Sequence, residues 1–282
     1  MRKKLHTYTI LALVMAILAV GCKSEYEQIR TSGDPQLILS KALEYYEAEE
    51  YQRAQSLFEL VAAVYRGKKE AEEIAYKNAY TYYHPRNYLL SSYYFKNFAQ
   101  TYSTSPYRQE ADFMSAYSNY NLSPKFRLDQ TYTDKAIEEL QLFINTYPDS
   151  ERVTQCNDLI DELRAKLETK AFDEGMLYFN LRSYTASVRV FENLLKDFPE
   201  TQRTDQIRYM IIRSSYLLAE NSILQRQPER YRVVVELGNE FVDRFEESDY
   251  AKEVATILAN SQKKLNQLKD VGYQNQSAGT GS

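Results

Sequence analysis

Tryptophan is absent from this 282-residue chain, and glycine (8), proline (7), histidine (2) and cysteine (2) are scarce. So few glycines and prolines leave little punctuation for the many tight turns of an all-β fold. The histidines are His6, in a basic N-terminal stretch, and His84, beside Pro85. One histidine beyond that stretch cannot build a multi-histidine metal site, and no CxxC or HExxH spacing exists, so no metal is expected. A Ser-His-Asp triad would depend on His84, which has no GxSxG nearby. Gly33, Gly67, Gly175 and Gly238 stand apart from one another, which excludes a glycine-rich phosphate loop. Acidic pairs such as Glu72-Glu73, Glu138-Glu139 and Glu246-Glu247 read as solvated helix faces. The chain is therefore not expected to be an enzyme, and no cofactor is expected.

Long hydrophobic runs are equally rare. The uninterrupted one is ILALVMAILAV, residues 10–20, preceded by MRKKLH and followed by Gly21-Cys22. A spanning helix needs about 20 apolar residues, so this shorter run reads as a secretory signal over residues 1–21. Ala19-Val20-Gly21-Cys22 resembles the lipobox of bacterial lipoproteins, with the usual leucine one place early at Leu18. Cleavage before Cys22 would leave a lipid on its thiol, and each buried methylene contributes about 0.8 kcal/mol of membrane affinity. Removing Arg2, Lys3 and Lys4 from 35 basic and 39 acidic residues leaves 32 against 39, a charge of −7. That sign speaks against nucleic acid as a partner. Cys156, in the helical run VTQCNDLIDEL, reads as a core thiol.

What is abundant is tyrosine, 26 residues, in a recurring pattern. YQRAQSLFELVAAVY (51–65), YLLSSYYFKNFAQTY (88–102) and YTASVRVFENLLKDF (184–198) share residue types at offsets 0, +3, +7 and +14. The offsets extend to Thr133, Ala136, Leu140 and Tyr147, and to Tyr231, Val234, Gly238 and Phe245. At about 100° per residue these positions fall on one helical stripe. A small residue at +3 lets a partner helix approach, and the bulky groups fill the space beside it. Twelve residues earlier, Ala42, Ala79 and Gly175 mark a preceding helix in the first, second and fourth units. Asp34-Pro35 and Ser105-Pro106 read as N-cap followed by N1. Pro124 and Pro228 fall in apparent insertions inside the third and fifth pairs.

Two antiparallel helices per unit, with small and aromatic residues at these places, look like the tetratricopeptide repeat. The expected fold is all-α: a right-handed solenoid of five tetratricopeptide-like helix pairs with a C-terminal capping helix. The expected divisions are a linker over 22–34, repeats one to three over 35–148, repeats four and five with the cap over 149–269, and a disordered tail over 270–282. Ser150 to about Leu181 carries no breaker and reads as one long helix.

The first helix of each pair lines the concave face of such a stack. Its places near five, nine and twelve hold Leu39, Leu43 and Tyr46, then Tyr76, Tyr80 and Tyr83, then Phe113, Tyr117 and Tyr120. Two readings stand: the rings pad helix contacts, or they form a groove for an extended peptide bearing apolar or aromatic side chains. The candidate groove is Tyr46, Tyr76, Tyr80, Tyr83, Phe113, Tyr117 and Tyr120.

The lipobox at Cys22, LDQTYTDKAIEELQLFINTYPDS (128–150) and LRAKLETKAFDEGMLYFNLRSYTASVRVFENLLKDFPET (163–201) together resemble the BamD family, over roughly residues 22–269. These are lipoproteins of the outer-membrane β-barrel assembly machinery. The resemblance implies a periplasmic scaffold, lipid-anchored in the outer membrane, with three kinds of partner. They are a BamA-like barrel protein bound by the C-terminal repeats, other assembly lipoproteins, and unfolded outer-membrane clients met by the N-terminal repeats. A general envelope adaptor for cell-wall or secretion machinery is the alternative, and a glycan-binding lipoprotein the third. The absence of tryptophan platforms counts against the third.

Overall fold

The computed structural model describes residues 25–279, with side chains described to residue 268. Cys22 and the signal over 1–21 lie outside the described residues. Among the described residues the chain is helical without strands. The helices are α1 Glu25–Arg30, α2 Pro35–Glu47, α3 Tyr51–Ala62, α4 Glu70–Tyr83, α5 Tyr88–Thr101, α6 Arg108–Leu122 and α7 Thr131–Thr146. They continue as α8 Val153–Asn180, α9 Tyr184–Asp197, α10 Thr204–Glu220, a 3-10 turn at Leu224–Arg226, α11 Gln227–Arg244 and α12 Ala251–Gly279. Five helix pairs and a final helix thus stand where the repeat pattern places them. The chain divides into two units: one runs up to Ser123 and takes in Thr131–Cys156, the other comprises Pro124–Gln130 and the chain from Asn157 on.

In the first unit, Ile38, Ala42, Ala54, Leu57, Phe58, Val61 and Ile74 form a core shared by α2, α3 and α4. Asp34 caps α2, its carboxylate accepting from the Gln36 and Leu37 N–H groups, with Pro35 at the helix start. The second proline differs. Ser105 accepts from Tyr107 N–H, but the helix opens only at Arg108, so Ser105-Pro106 forms a turn ahead of α6. Glu72 fixes that turn by accepting the Ser105 hydroxyl proton.

The scarcity of glycine has a consequence in the turns inside the pairs. Glu49, Arg86 and Arg182 adopt left-handed backbone, with φ of 61°, 65° and 59°. Each stands two residues before the tyrosine that opens the second helix: Tyr51, Tyr88 and Tyr184. The bonding is the same in all three, as in Glu49 N–H to Tyr46 O and Glu50 N–H to Tyr45 O, a Schellman closure that satisfies the last carbonyls of the first helix. The third and fifth pairs replace this turn with insertions. Pro228 is not inside the fifth pair's insertion; it lies in the first turn of α11.

The +14 aromatics also differ from expectation. Tyr102, Tyr147, Phe198 and Phe245 are C-cap residues, not members of the helical stripe, and their N–H groups close on Phe98, Phe143, Leu194 and Phe241. Three of these rings fold back on the ring four residues earlier, with centroids 5.0 or 5.1 Å apart. They staple each helix end.

Small residues at +3 serve close approach. Ser91 bonds Ser118 at 2.9 Å, and Ser187 bonds Ser214 at 3.1 Å while donating to Gly175 O. Both serine pairs are fully buried, so one polar contact recurs between a second helix and the next first helix in each unit. The core of the second unit is built from Phe172, Phe191, Leu194, Ile207, Met210, Ile212, Val234, Phe241 and Val254. The insertion after α6 belongs to this unit: Gln130 donates to the carbonyls of Lys125, Phe126 and Leu128, and Lys170 of α8 donates to Leu128 O.

Two terminal expectations are corrected. Within the proposed 22–34 linker, Glu25–Arg30 is a helix whose Ile29 is buried. Apolar burial outweighs the poor intrinsic stability of so short a helix. From residue 270, where a tail is expected, α12 continues to Gly279, since no proline interrupts the propagation of its backbone bonds.

Candidate functional site

The first helices of the first unit, α2, α4 and α6, carry the sequence-derived groove residues. Tyr46, Tyr76, Tyr80, Tyr83, Tyr117 and Tyr120 are half-buried, each with part of its ring at the surface. Phe113 is not: it is 2% exposed, packed edge-on against Phe143 at 5.7 Å and covered by the Arg152 guanidinium at 4.1 Å. Place five of the third unit is therefore core. Leu39 and Leu43 likewise pack on the first-unit core.

The surface rings form a connected band. Tyr46 meets Tyr51 edge-on at 5.8 Å, and Tyr51 stacks on His84 at 4.2 Å and 8°. His84 neighbours Tyr80 and Tyr83, each at 5.8 Å, and Tyr83 leads to Tyr117 at 6.4 Å and on to Tyr120, stacked at 5.6 Å. Tyr76 joins Tyr80 at 5.2 Å and stacks on Tyr107 at 4.5 Å. Tyr51, His84 and Tyr107 are band members that the helical face alone does not reveal. They come from turns and a helix start, which place rings by the fold of the loop. A cavity of about 200 Å³ elsewhere in this unit is lined by Lys96, Arg108, Asp112, Glu139, Leu142 and Tyr147, and by none of the band rings.

A polar network fixes the band from below. Arg152 donates to both oxygens of Glu110, at 2.9 and 2.7 Å, and Tyr80 donates to Glu110 at 3.1 Å. The Tyr80 and Tyr76 hydroxyls lie 3.4 Å apart. At the other end Lys77 donates to Glu47 at 2.8 Å and holds its ammonium 4.6 Å from the Tyr46 centroid. Burial pushes the Tyr46 phenol up to about 12, and burial also raises Tyr76, Tyr80 and Tyr83. Burial lowers His84, opposed by Glu49. At neutral pH the band is uncharged, a surface of ring faces, edges and hydroxyls. It can receive apolar side chains while donating hydrogen bonds.

Within each unit, helix pairs in tandem that bury one face on a neighbouring helix and leave a side-chain-rich surface on the first helices define a tetratricopeptide-like scaffold. A family model described as "YfiO: Outer membrane lipoprotein" matches residues 32–227. The chain belongs to this family, YfiO or BamD, of outer membrane lipoproteins. No curated protein matches. Among solved structures, the TPR2AB-domain:pHSP90 complex of yeast Sti1 is 12% identical, with 81% of this chain and 98% of that chain covered and a TM-score of 0.37. A thermophilic TPR protein of Thermus thermophilus is 13% identical, with 81% and 99% covered and a TM-score of 0.30.

Proposed function

We propose that this protein is a lipid-anchored scaffold on the periplasmic face of the outer membrane, working in β-barrel assembly. In this reading Cys22 carries the lipid, and repeats four and five with the cap, residues 149–269, bind a BamA-like barrel subunit. Other assembly lipoproteins join the complex, and the aromatic band of repeats one to three receives extended segments of unfolded barrel clients. The observation that carries the reading is the run of tyrosine rings from Tyr46 to Tyr120, joined through the exposed His84, whose ring faces and phenol hydroxyls suit aromatic-rich peptide strands. Phe113 is left out of the proposed contact surface because it is buried.

Photo-crosslinking of an aromatic-rich peptide tests the band. Replacing Tyr80 and Tyr83 together by alanine is expected to abolish crosslinks to α4 and α6 while helical content is retained. Unchanged crosslinking in a folded variant would remove the band from the function. Affinity purification from detergent-solubilised envelopes tests the partner: a co-purifying barrel subunit supports assembly, whereas cell-wall enzymes would indicate an envelope adaptor.

A further inference from the structure

The helix α1 changes how far the folded chain can stand from a lipid on Cys22. A free linker of about twelve residues would reach about 40 Å, but the three steps from Cys22 to Glu25 reach only about 10 Å. From there the chain is fixed. Ile29 is 5% exposed in the first-unit core, and Tyr26 meets Tyr45 edge-on at 5.9 Å. The Arg53 guanidinium lies 5.7 and 5.5 Å from those two ring centroids, which ties α1 to both α2 and α3.

The chemistry around this exit suits a headgroup layer. Tyr26 and Tyr45 are half-buried rings with polar tips, the kind of side chain that settles at a membrane interface. Three acids nearby pair with bases close in sequence, Glu27 with Arg30 at 3.0 Å, Glu44 with Lys41 at 2.7 Å and Glu50 with Arg53 at 2.6 Å, and Glu25 at the start of α1 acts on the Lys41 ammonium through its charge. Phosphate-bearing zwitterionic headgroups therefore meet paired charges and tyrosines, with little net repulsion.

We propose that α1 is a folded tether that seats the first repeat directly on the bilayer surface, with Tyr26, Tyr45 and Arg53 at headgroup level. This rests on the lipidation of Cys22. The aromatic band begins in the same repeat, at Tyr46, so a client segment would be held beside the membrane.

The test uses full-length acylated protein in phosphatidylcholine vesicles carrying a headgroup-attached quencher. A fluorophore is placed at Ser32→Cys, and Cys156, being buried, stays unlabelled. Strong quenching is expected, falling several-fold when twelve Gly/Ser residues, adding about 20 Å of mean reach, are inserted between Ser24 and Glu25. Ile29→Ser, which undocks α1 without lengthening the chain, should give an intermediate loss, with circular dichroism confirming the fold. Equal quenching with and without the insertion, or none in acylated wild type, overturns the tether. Absence of a lipid mass on Cys22 overturns the lipidation reading and the tether with it, so the two failures are told apart.

Discussion

Tyr80 is where the polar contacts of the aromatic band converge, since its hydroxyl touches both Glu110 and Tyr76 while its ring touches Phe95 edge-on at 4.8 Å. Tyr80→Phe keeps the ring and removes the hydroxyl, so urea unfolding should show a loss of about 1 kcal/mol. Truncating Arg152 to alanine should cost more than Tyr80→Phe, because Glu110 loses its bidentate partner and Phe113 its cover. The tyrosines also set an alkaline limit. Burial pushes the Tyr46, Tyr147 and Tyr209 phenols up to about 12, whereas unfolded phenols ionise near 10. A raised phenol favours the fold while it is protonated, so this stabilisation is full below pH 10 and is lost as pH rises from about 10 to 12. A stability series from pH 8 to 12 should fall in that window and be flat below it. Cys156 follows the same physics: burial raises its thiol to about 11, so alkylation at pH 8 should proceed only with unfolding.

At the scale of the element, two helical glycines that look alike in sequence have opposite roles. A Cβ on Gly175 would lie 2.6 Å from the fully buried ring of Phe191, whereas one on Gly238 would sit 3.4 Å from Leu258. Overpacking of about 1–3 kcal/mol outweighs the roughly 1 kcal/mol gained by replacing a helical glycine with alanine. Gly175→Ala should therefore lower the melting temperature, and Gly238→Ala should raise it slightly. The turns inside the pairs supply a third case. Arg182 carries the left-handed strain that non-glycine residues bear, of order 1 kcal/mol. Arg182→Gly should leave the protein equally or slightly more stable, an outcome that thermal melting distinguishes from the loss expected of a mid-helix glycine.

For the molecule as a whole, membrane attachment and scaffold folding are separable. On the proposed lipidation of Cys22, Cys22→Ser with its signal removed should move the protein from the membrane fraction to the soluble extract while leaving the helical spectrum unchanged, since the cores of both units lie beyond that residue. Retention of a variant whose signal has been removed would mean that protein contacts hold it there without a lipid. Helix pairing was legible in the chain because its signals are local: Ala54, Phe58, Ser91, Phe95, Ser187 and Phe191 sit at helical spacing, and all are buried. The groove was legible in part. Tyr76, Tyr80 and Tyr83 share a face for the same local reason, but Phe113 has the same register and ends in the core, because α7 contributes Phe143 and the chain before α8 contributes Arg152 to cover it.

By itself the sequence determined that the chain folds as five helix pairs, because small and bulky residues recurring at offsets of three and four decide which side of a helix must be dry. Only the tertiary structure decided which tyrosines remain at the surface, that His84 and Tyr107 join them, and that Glu25–Arg30 folds onto the first repeat. Those outcomes depend on what neighbouring helices and turns bring within van der Waals reach, and spacing along one helix carries no record of it.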